Sequence, residues 1–158
     1  GDDGAIRAGV PHTYPRFIDS GNGTLTDTMT GLVWLKKADC LHQSWSAALD
    51  AVAQLASGQC GLSDGSTPGQ WRMPNRAEML SLADRALGNH ADYFSDAILR
   101  PDQSIERPAI FTHLVTAEYY WTSSTDAAAP SSAWTLYSCD FGVYDVAKSA
   151  VGYTLAVR

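Results

Sequence analysis

The hydrophobic period switches twice along this chain, and the order of those switches limits the fold more than any other feature. Arg16-Phe17-Ile18-Asp19, Thr24-Leu25-Thr26-Asp27 and Leu32-Val33-Trp34-Leu35 have strand character. They are split by Ser20-Gly21-Asn22-Gly23 and Thr30-Gly31. An Asn-Gly pair accepts the positive φ angles of a tight hairpin, so three short antiparallel strands are expected to open the domain. Next, Trp45, Ala48, Leu49, Val52, Leu55 and Ala56 recur at helical spacing behind Ser44, a suitable N-cap, with Gly58 placed to end the helix. A second helix is signalled by Pro74-Asn75-Arg76-Ala77-Glu78, where Asn75 and Glu78 can cap each other reciprocally. Met79, Leu80, Ala83 and Leu87 would form its buried stripe and Gly88 its stop.

Residues 89–118 have no clean period and read mostly as loop; a loop of that length carries function or hides short elements. Strand signals then return in Tyr119-Tyr120-Trp121-Thr122-Ser123, Ala133-Trp134-Thr135-Leu136-Tyr137, Gly142-Val143-Tyr144 and Tyr153-Thr154-Leu155-Ala156-Val157. Residues 1–15 read as irregular, broken by Pro11 and Pro15. The order of strands, two helices, long loop and strands predicts one α+β domain over residues 1–158.

Its 158 residues suffice for one core, and 45% apolar with 18% charged residues is a globular balance. Five Trp and seven Tyr exceed what a core of this size needs, so some are expected on a recognition surface. The net charge is −6, only three of the eleven basic residues are Lys, and no basic run occurs. Nucleic acid, heparin-like polymers and anionic membranes all require clustered positive charge, so none is an expected partner. No apolar run approaches the roughly 20 residues of a membrane span. A start at Gly1 without Met reads as a processed or excised fragment whose targeting segment is lost.

Cys40 and Cys60 bracket the first helix. A link between them would close a loop of about 20 residues, which stabilises by roughly 3 kcal/mol; two buried free thiols are the alternative. Cys139 is left over. Without a Cys-x-x-Cys pair or His ligand spacing, no zinc site is expected. His12, His42, His90 and His113 are scattered, and no spacing selects a nucleophile with its base or a pair of carboxylates. The expectation is a protein that is not an enzyme and has no cofactor. Asp19, Asn22 and Asp27 loosely suggest a calcium loop, but the hairpin explains Asn22-Gly23 without an ion, and a calcium loop needs a denser run of ligands.

Between Trp134 and Lys148, rings alternate with short polar residues. Tyr137, Asp140, Phe141, Tyr144 and Asp145 are the candidate ligand-binding residues, because rigid rings supply contact area and small polar groups supply hydrogen bonds. They are expected on one exposed face with at least two of the three rings accessible. The competing reading has alternate residues filling the core of the sheet. Trp71, Trp121 and Trp134 are expected to be scaffold.

Several segments together carry a resemblance. They include Arg16-Phe17-x-Asp19-x-Gly21-Asn22-Gly23-Thr24-x-Thr26-Asp27-x-x-Thr30-Gly31-Leu32-x-Trp34, then Ser57-Gly58-Gln59-Cys60-Gly61-Leu62-Ser63-Asp64-Gly65. Gln70-Trp71-Arg72-Met73-Pro74-Asn75-Arg76-x-Glu78, Tyr120-Trp121-Thr122-Ser123-Ser124-Thr125 and the ending Ala156-Val157-Arg158 complete it. This set resembles the domain family that ends the Legionella collagen-like adhesins, which is similar in fold to C-type lectins and to the formylglycine-generating enzyme. The resemblance implies a C-type-lectin-like fold: two helices beside small twisted antiparallel sheets, with long loops and chain ends close together. It implies a Cys40–Cys60 disulfide and an extracytoplasmic, secreted or surface-attached bacterial module. The oxidising enzyme of the superfamily needs paired cysteines in its C-terminal part, where this chain has only Cys139. Met73-Pro74-Asn75 likewise lacks the leading ligand of the calcium-holding lectin tripeptide. The expected function is recognition of a glycan or protein through C-terminal loops. Alternatives are a structural or homo-oligomerising module of a pilus-like assembly, and a binding protein diversified by retroelements.

Overall fold

A computed structural model describes residues 15–82 and 110–158, together with short strands at 98–99 and 105–106. Strands β1 (Phe17–Asp19), β2 (Thr24–Asp27) and β3 (Val33–Leu35) form an antiparallel sheet in that order. The predicted hairpin holds: Asn22 Oδ1 accepts from the Thr24 N–H at 3.2 Å and from its hydroxyl at 2.8 Å, bonds that close the turn. The last residues of the chain extend this sheet. Arg158 and Val33 exchange N–H···O bonds of 2.9 Å, so the C-terminus lies beside the N-terminal strands.

The larger sheet has five strands in the order β4 (Leu41–Ser44), β10 (Val151–Thr154), β7 (Tyr119–Thr125), β8 (Ser132–Tyr137) and β9 (Val143–Ala147). All its pairings are antiparallel except β10 with β7. Strand β4 is absent from the sequence reading, because Leu41-His42-Gln43-Ser44 has no apolar alternation and is a strand only through its partner β10. A two-stranded ribbon, β5 (Ile98–Leu99) and β6 (Ile105–Glu106), falls within the stretch read as loop.

Helix α1 (Trp45–Ala53) starts behind Ser44 as expected, but the Ser44 side chain makes no capping hydrogen bond and the helix ends before Leu55, Ala56 and Gly58. The Gly69 N–H takes the Ala53 carbonyl at 2.7 Å, and Gly58 donates to Leu62 at 2.7 Å, so the following loop replaces helical partners. Helix α2 (Arg76–Ser81) has the expected capping box between Asn75 and Glu78. Ala83, Leu87 and Gly88, placed on that helix by sequence, lie outside the described residues.

One core lies between the sheets: Phe17, Leu25 and Trp34 meet Tyr120, Leu136 and Leu155, with Met79 from α2 and Leu82, the residue that caps its end. A second gathers Leu35, Val52, Leu62 and Trp71 around the Cys40–Cys60 disulfide, whose Cα atoms are 5.6 Å apart. A third seats Ala48 of α1 on Trp121 and Ala133 of the larger sheet.

Candidate functional site: an uncovered tyrosine face

Register places the site. Tyr119 in β7 lies opposite Tyr137 in β8, and Tyr144 in β9 lies opposite Thr135. Side chains alternate along a strand, so Tyr119, Trp121, Ala133, Thr135, Tyr137, Tyr144 and Val146 share one face. Helix α1 covers the Trp121–Ala133 half of that face, where Trp45, Leu49 and Val146 pack. The tyrosine half is left open: Tyr119 and Tyr144 are 37% and 43% exposed and Tyr137 is half-buried.

The three rings touch. Centroids of Tyr119 and Tyr137 are 4.9 Å apart with planes tilted by 42°. Tyr144 stands at 90° to Tyr137 and 78° to Tyr119, at 6.2 Å from each. These are the edge-on separations that aromatic quadrupoles favour. The turn after β8 fixes Tyr144. Its hydroxyl donates to Asp140 Oδ2 at 2.8 Å, while Asp140 Oδ1 accepts from the Gly142 N–H at 2.6 Å. A Cβ at Gly142 would lie within 2.8 Å of both the Tyr144 ring and the Asp140 carboxylate, so this fold-back requires glycine. The bond to Asp140 stabilises the neutral phenol and raises the Tyr144 pKa above its ordinary value. Desolvation, with the nearby Cys139 thiol and Tyr119, raises that of Tyr137.

Of the five predicted residues, Tyr137, Asp140 and Tyr144 come together, and two are corrected. Phe141 is buried in the main core: its φ of 56° reverses the chain and turns the ring inward. Asp145 is exposed but follows Tyr144 in a regular strand and lies opposite Trp134, so it points to the other face. Tyr119 was missed, although its position follows from pairing Tyr120 with Leu136 and counting one residue outward. Cys139, in the same turn, is exposed and free.

The tryptophans are mostly framework. Trp71 is buried, its indole N–H 3.0 Å from Ser66 Oγ and its ring 4.9 Å from the Arg158 guanidinium. Trp121 is buried and donates to the Gln43 carbonyl at 3.1 Å, while half-buried Trp134 lies under Arg76 at 4.3 Å. Arg72 grips Glu78 through two hydrogen bonds of 2.7 and 2.6 Å, and Glu78 also accepts from the Asn75 N–H at 2.8 Å. Asp19 and Asp27, weighed as calcium ligands, pair with Lys36 and Arg16.

The described residues thus form an α+β domain of two helices and small, mainly antiparallel sheets that leaves a patch of aromatic sheet face uncovered. Residues 23–158 match the family described as the Lcl C-terminal domain, and the chain belongs to it. A solved structure described as the crystal structure of CEL-IV is similar at a TM-score of 0.38 and 12% identity, over 94% of each chain. No curated protein sequence matches the chain. Among the described residues, no helix is long and apolar enough to cross a membrane.

Proposed function

We propose that this domain is an extracytoplasmic, adhesin-like binding module, not an enzyme, and that it recognises a glycan or protein through Tyr119, Tyr137, Tyr144 and Asp140. One observation carries the reading: three mutually touching tyrosines stand open on a sheet whose remaining face is packed. Exposed aromatic clusters cost solvation and mark interaction surfaces. The disulfide and the family's place at the end of collagen-like adhesins support a location outside the cytoplasm.

The test is a combined glycan and protein array, probed with the wild-type domain and with Tyr119→Ala and Tyr144→Ala. Ligands captured by the wild type should be lost or weakened by roughly tenfold in the variants, the order of an interface hot spot. Full retention of every captured ligand by both variants would move the binding surface elsewhere. Concentration-dependent self-association of the wild type, abolished by the same changes and without array ligands, would favour the oligomerising module instead.

A further inference from the structure

Strand β9 ends the larger sheet, and among the described residues only its β8 side is paired. Three bonds fix which way its backbone points. The Tyr137 N–H donates to the Gly142 carbonyl at 3.0 Å, the Thr135 hydroxyl to the Tyr144 carbonyl at 3.0 Å, and the Lys148 N–H to the Ser131 carbonyl at 2.9 Å. Backbone groups of an antiparallel strand turn alternately to its two sides, so Tyr144 and Val146 face β8. Val143, Asp145 and Ala147 therefore direct N–H and C=O outward. Among the described residues, the Ala147 carbonyl alone of these groups has a partner, the Ala150 N–H at 2.8 Å.

Open edges pair with further strands unless proline, lysine or a bulge blunts them. Strand β9 has none of these: Val143-Tyr144-Asp145-Val146-Ala147 keeps one register against β8, whereas β7 shifts between Trp121 and Thr125. The strand also complements itself, in one alignment. Two antiparallel copies must meet through their outward residues. Alignments that bring in Ala147 need its engaged carbonyl, and one of them sets two Asp145 carboxylates directly opposite each other, which is destabilising. Opposing Val143 to its own copy leaves Asp145 across from Phe141, whose φ of 56° belongs to the turn and not to a strand. Opposing Val143 to Asp145 uses only unpaired groups and makes four N–H···O bonds. It also places Tyr144, 43% exposed, beside its own copy in a non-hydrogen-bonded pair, where side chains come closest.

We infer that two copies of this chain pair antiparallel along β9, with Val143 of each opposite Asp145 of the other, to form one sheet continuous through both. The pairing does not depend on what the tyrosine face binds. It sets the two tyrosine clusters side by side on one face of the joined sheet.

Sedimentation of the whole domain over a range of concentrations reads the association. The apparent mass should rise from that of one chain toward that of two. Asp145→Pro removes an outward N–H and sets a ring on the edge, so it should weaken association at least about tenfold. Amide exchange needs no variant: the Val143 and Asp145 N–H groups should exchange at least about tenfold more slowly in concentrated than in dilute solution. The Tyr144 N–H, which faces β8, should change less. Oxidative cross-linking in a Cys139→Ser background reads the register. Tyr144→Cys should link two copies, because facing Cα atoms in such a pair lie about 4.5 Å apart. Asp145→Cys should not, because its Cα would stand more than about 7 Å from its copy. A domain that stays monomeric at every concentration overturns the inference. So does a dimer whose Val143 and Asp145 amides exchange freely, or one that Asp145→Cys cross-links in preference to Tyr144→Cys. Array ligands play no part in these readouts, so their outcome stands apart from that of the ligand-binding reading.

Discussion

Arg16 holds Asp27 through two buried hydrogen bonds, Nε to Oδ1 at 3.0 Å and Nη2 to Oδ2 at 2.7 Å, and so ties β1 to β2 where α2 ends. Nη2 also donates to the Ser81 carbonyl at 2.6 Å. The Asp27 side chain is fully buried, so removing Arg16 strands a charge away from water. Breaking such a pair typically costs about 3–5 kcal/mol, and Arg16→Ala should lower stability by that order in denaturant unfolding. Burial opposes ionisation of Asp27, but Arg16 and the Met29 N–H outweigh it and hold its carboxyl below the usual carboxylate range. A depressed folded-state pKa means that this stabilisation is complete above the unfolded value near 3.8 and is lost as pH falls through the lower folded value. Melting temperatures should therefore fall below about pH 4 in the wild type, and Asp27→Asn should flatten that fall. An unchanged acid limb in Asp27→Asn would show that other carboxylates set it.

The hairpin between β1 and β2 docks on the loop that follows Cys60. Its Asn22 carbonyl accepts from the Ser63 N–H at 2.9 Å, and its Gly23 carbonyl accepts from the Lys36 N–H at 2.9 Å. A Cβ at Gly23 would collide with the backbone of Gly61 and Leu62, whereas one at Gly21 would meet nothing within 4 Å. Both glycines have positive φ, 86° and 71°, so alanine at either carries the left-handed penalty of about 1–2 kcal/mol. Overpacking adds roughly 1–3 kcal/mol at Gly23 alone. Gly23→Ala should thus be clearly less stable than Gly21→Ala; equal midpoints in urea would refute the close approach.

The Cys40–Cys60 link spans 20 residues and closes over helix α1. Reducing it should cost roughly 3 kcal/mol by loop entropy. The drop in thermal midpoint should appear on adding reductant to a Cys139→Ser background, where only this pair can respond. Trp71 and Leu62 pack in the same cluster, so their environment should loosen together, visible as a Trp71 fluorescence change. An unaltered midpoint after complete reduction would mean that the cluster needs no covalent tie.

The sequence was most informative where one residue's own chemistry decides the backbone. Asn22-Gly23 made its turn, Asn75 and Glu78 made their capping box, and Cys40 met Cys60. It was less informative where a distant partner decides. Strand β4 exists because β10 pairs with it, and α1 stops at Ala53 because Gly69 takes its terminal carbonyl. The candidate site shows both cases. Tyr137, Asp140 and Tyr144 were legible from a run of rings and small polar residues. Phe141 was misread because alternation cannot be carried through a turn in which one residue has positive φ. Asp145 was misread because neighbouring residues in a strand face opposite ways. Tyr119 needed the β7–β8 register, which no property of its own segment sets.

The phenol of Tyr144 offers a direct check on the turn that shapes this face. As a neutral group it donates to Asp140 at 2.8 Å; as a phenolate it would lose that bond and face a carboxylate. Its pKa is therefore raised above the ordinary 10.0, with the Asp140 hydrogen bond as the leading cause and the Asp140 charge as the second. Asp140→Asn keeps an acceptor oxygen but removes the charge, so the midpoint should move down towards the ordinary value. Ring-carbon NMR across an alkaline titration, with Tyr144→Phe to assign the signal, measures both midpoints. The same variant should leave the fold intact, because exposed substitutions usually change stability by no more than about 0.5 kcal/mol. If the two midpoints coincide, Asp140 does not hold the Tyr144 hydroxyl in solution. The perpendicular stance of that ring against Tyr137 would then have to come from ring packing and the glycine turn alone.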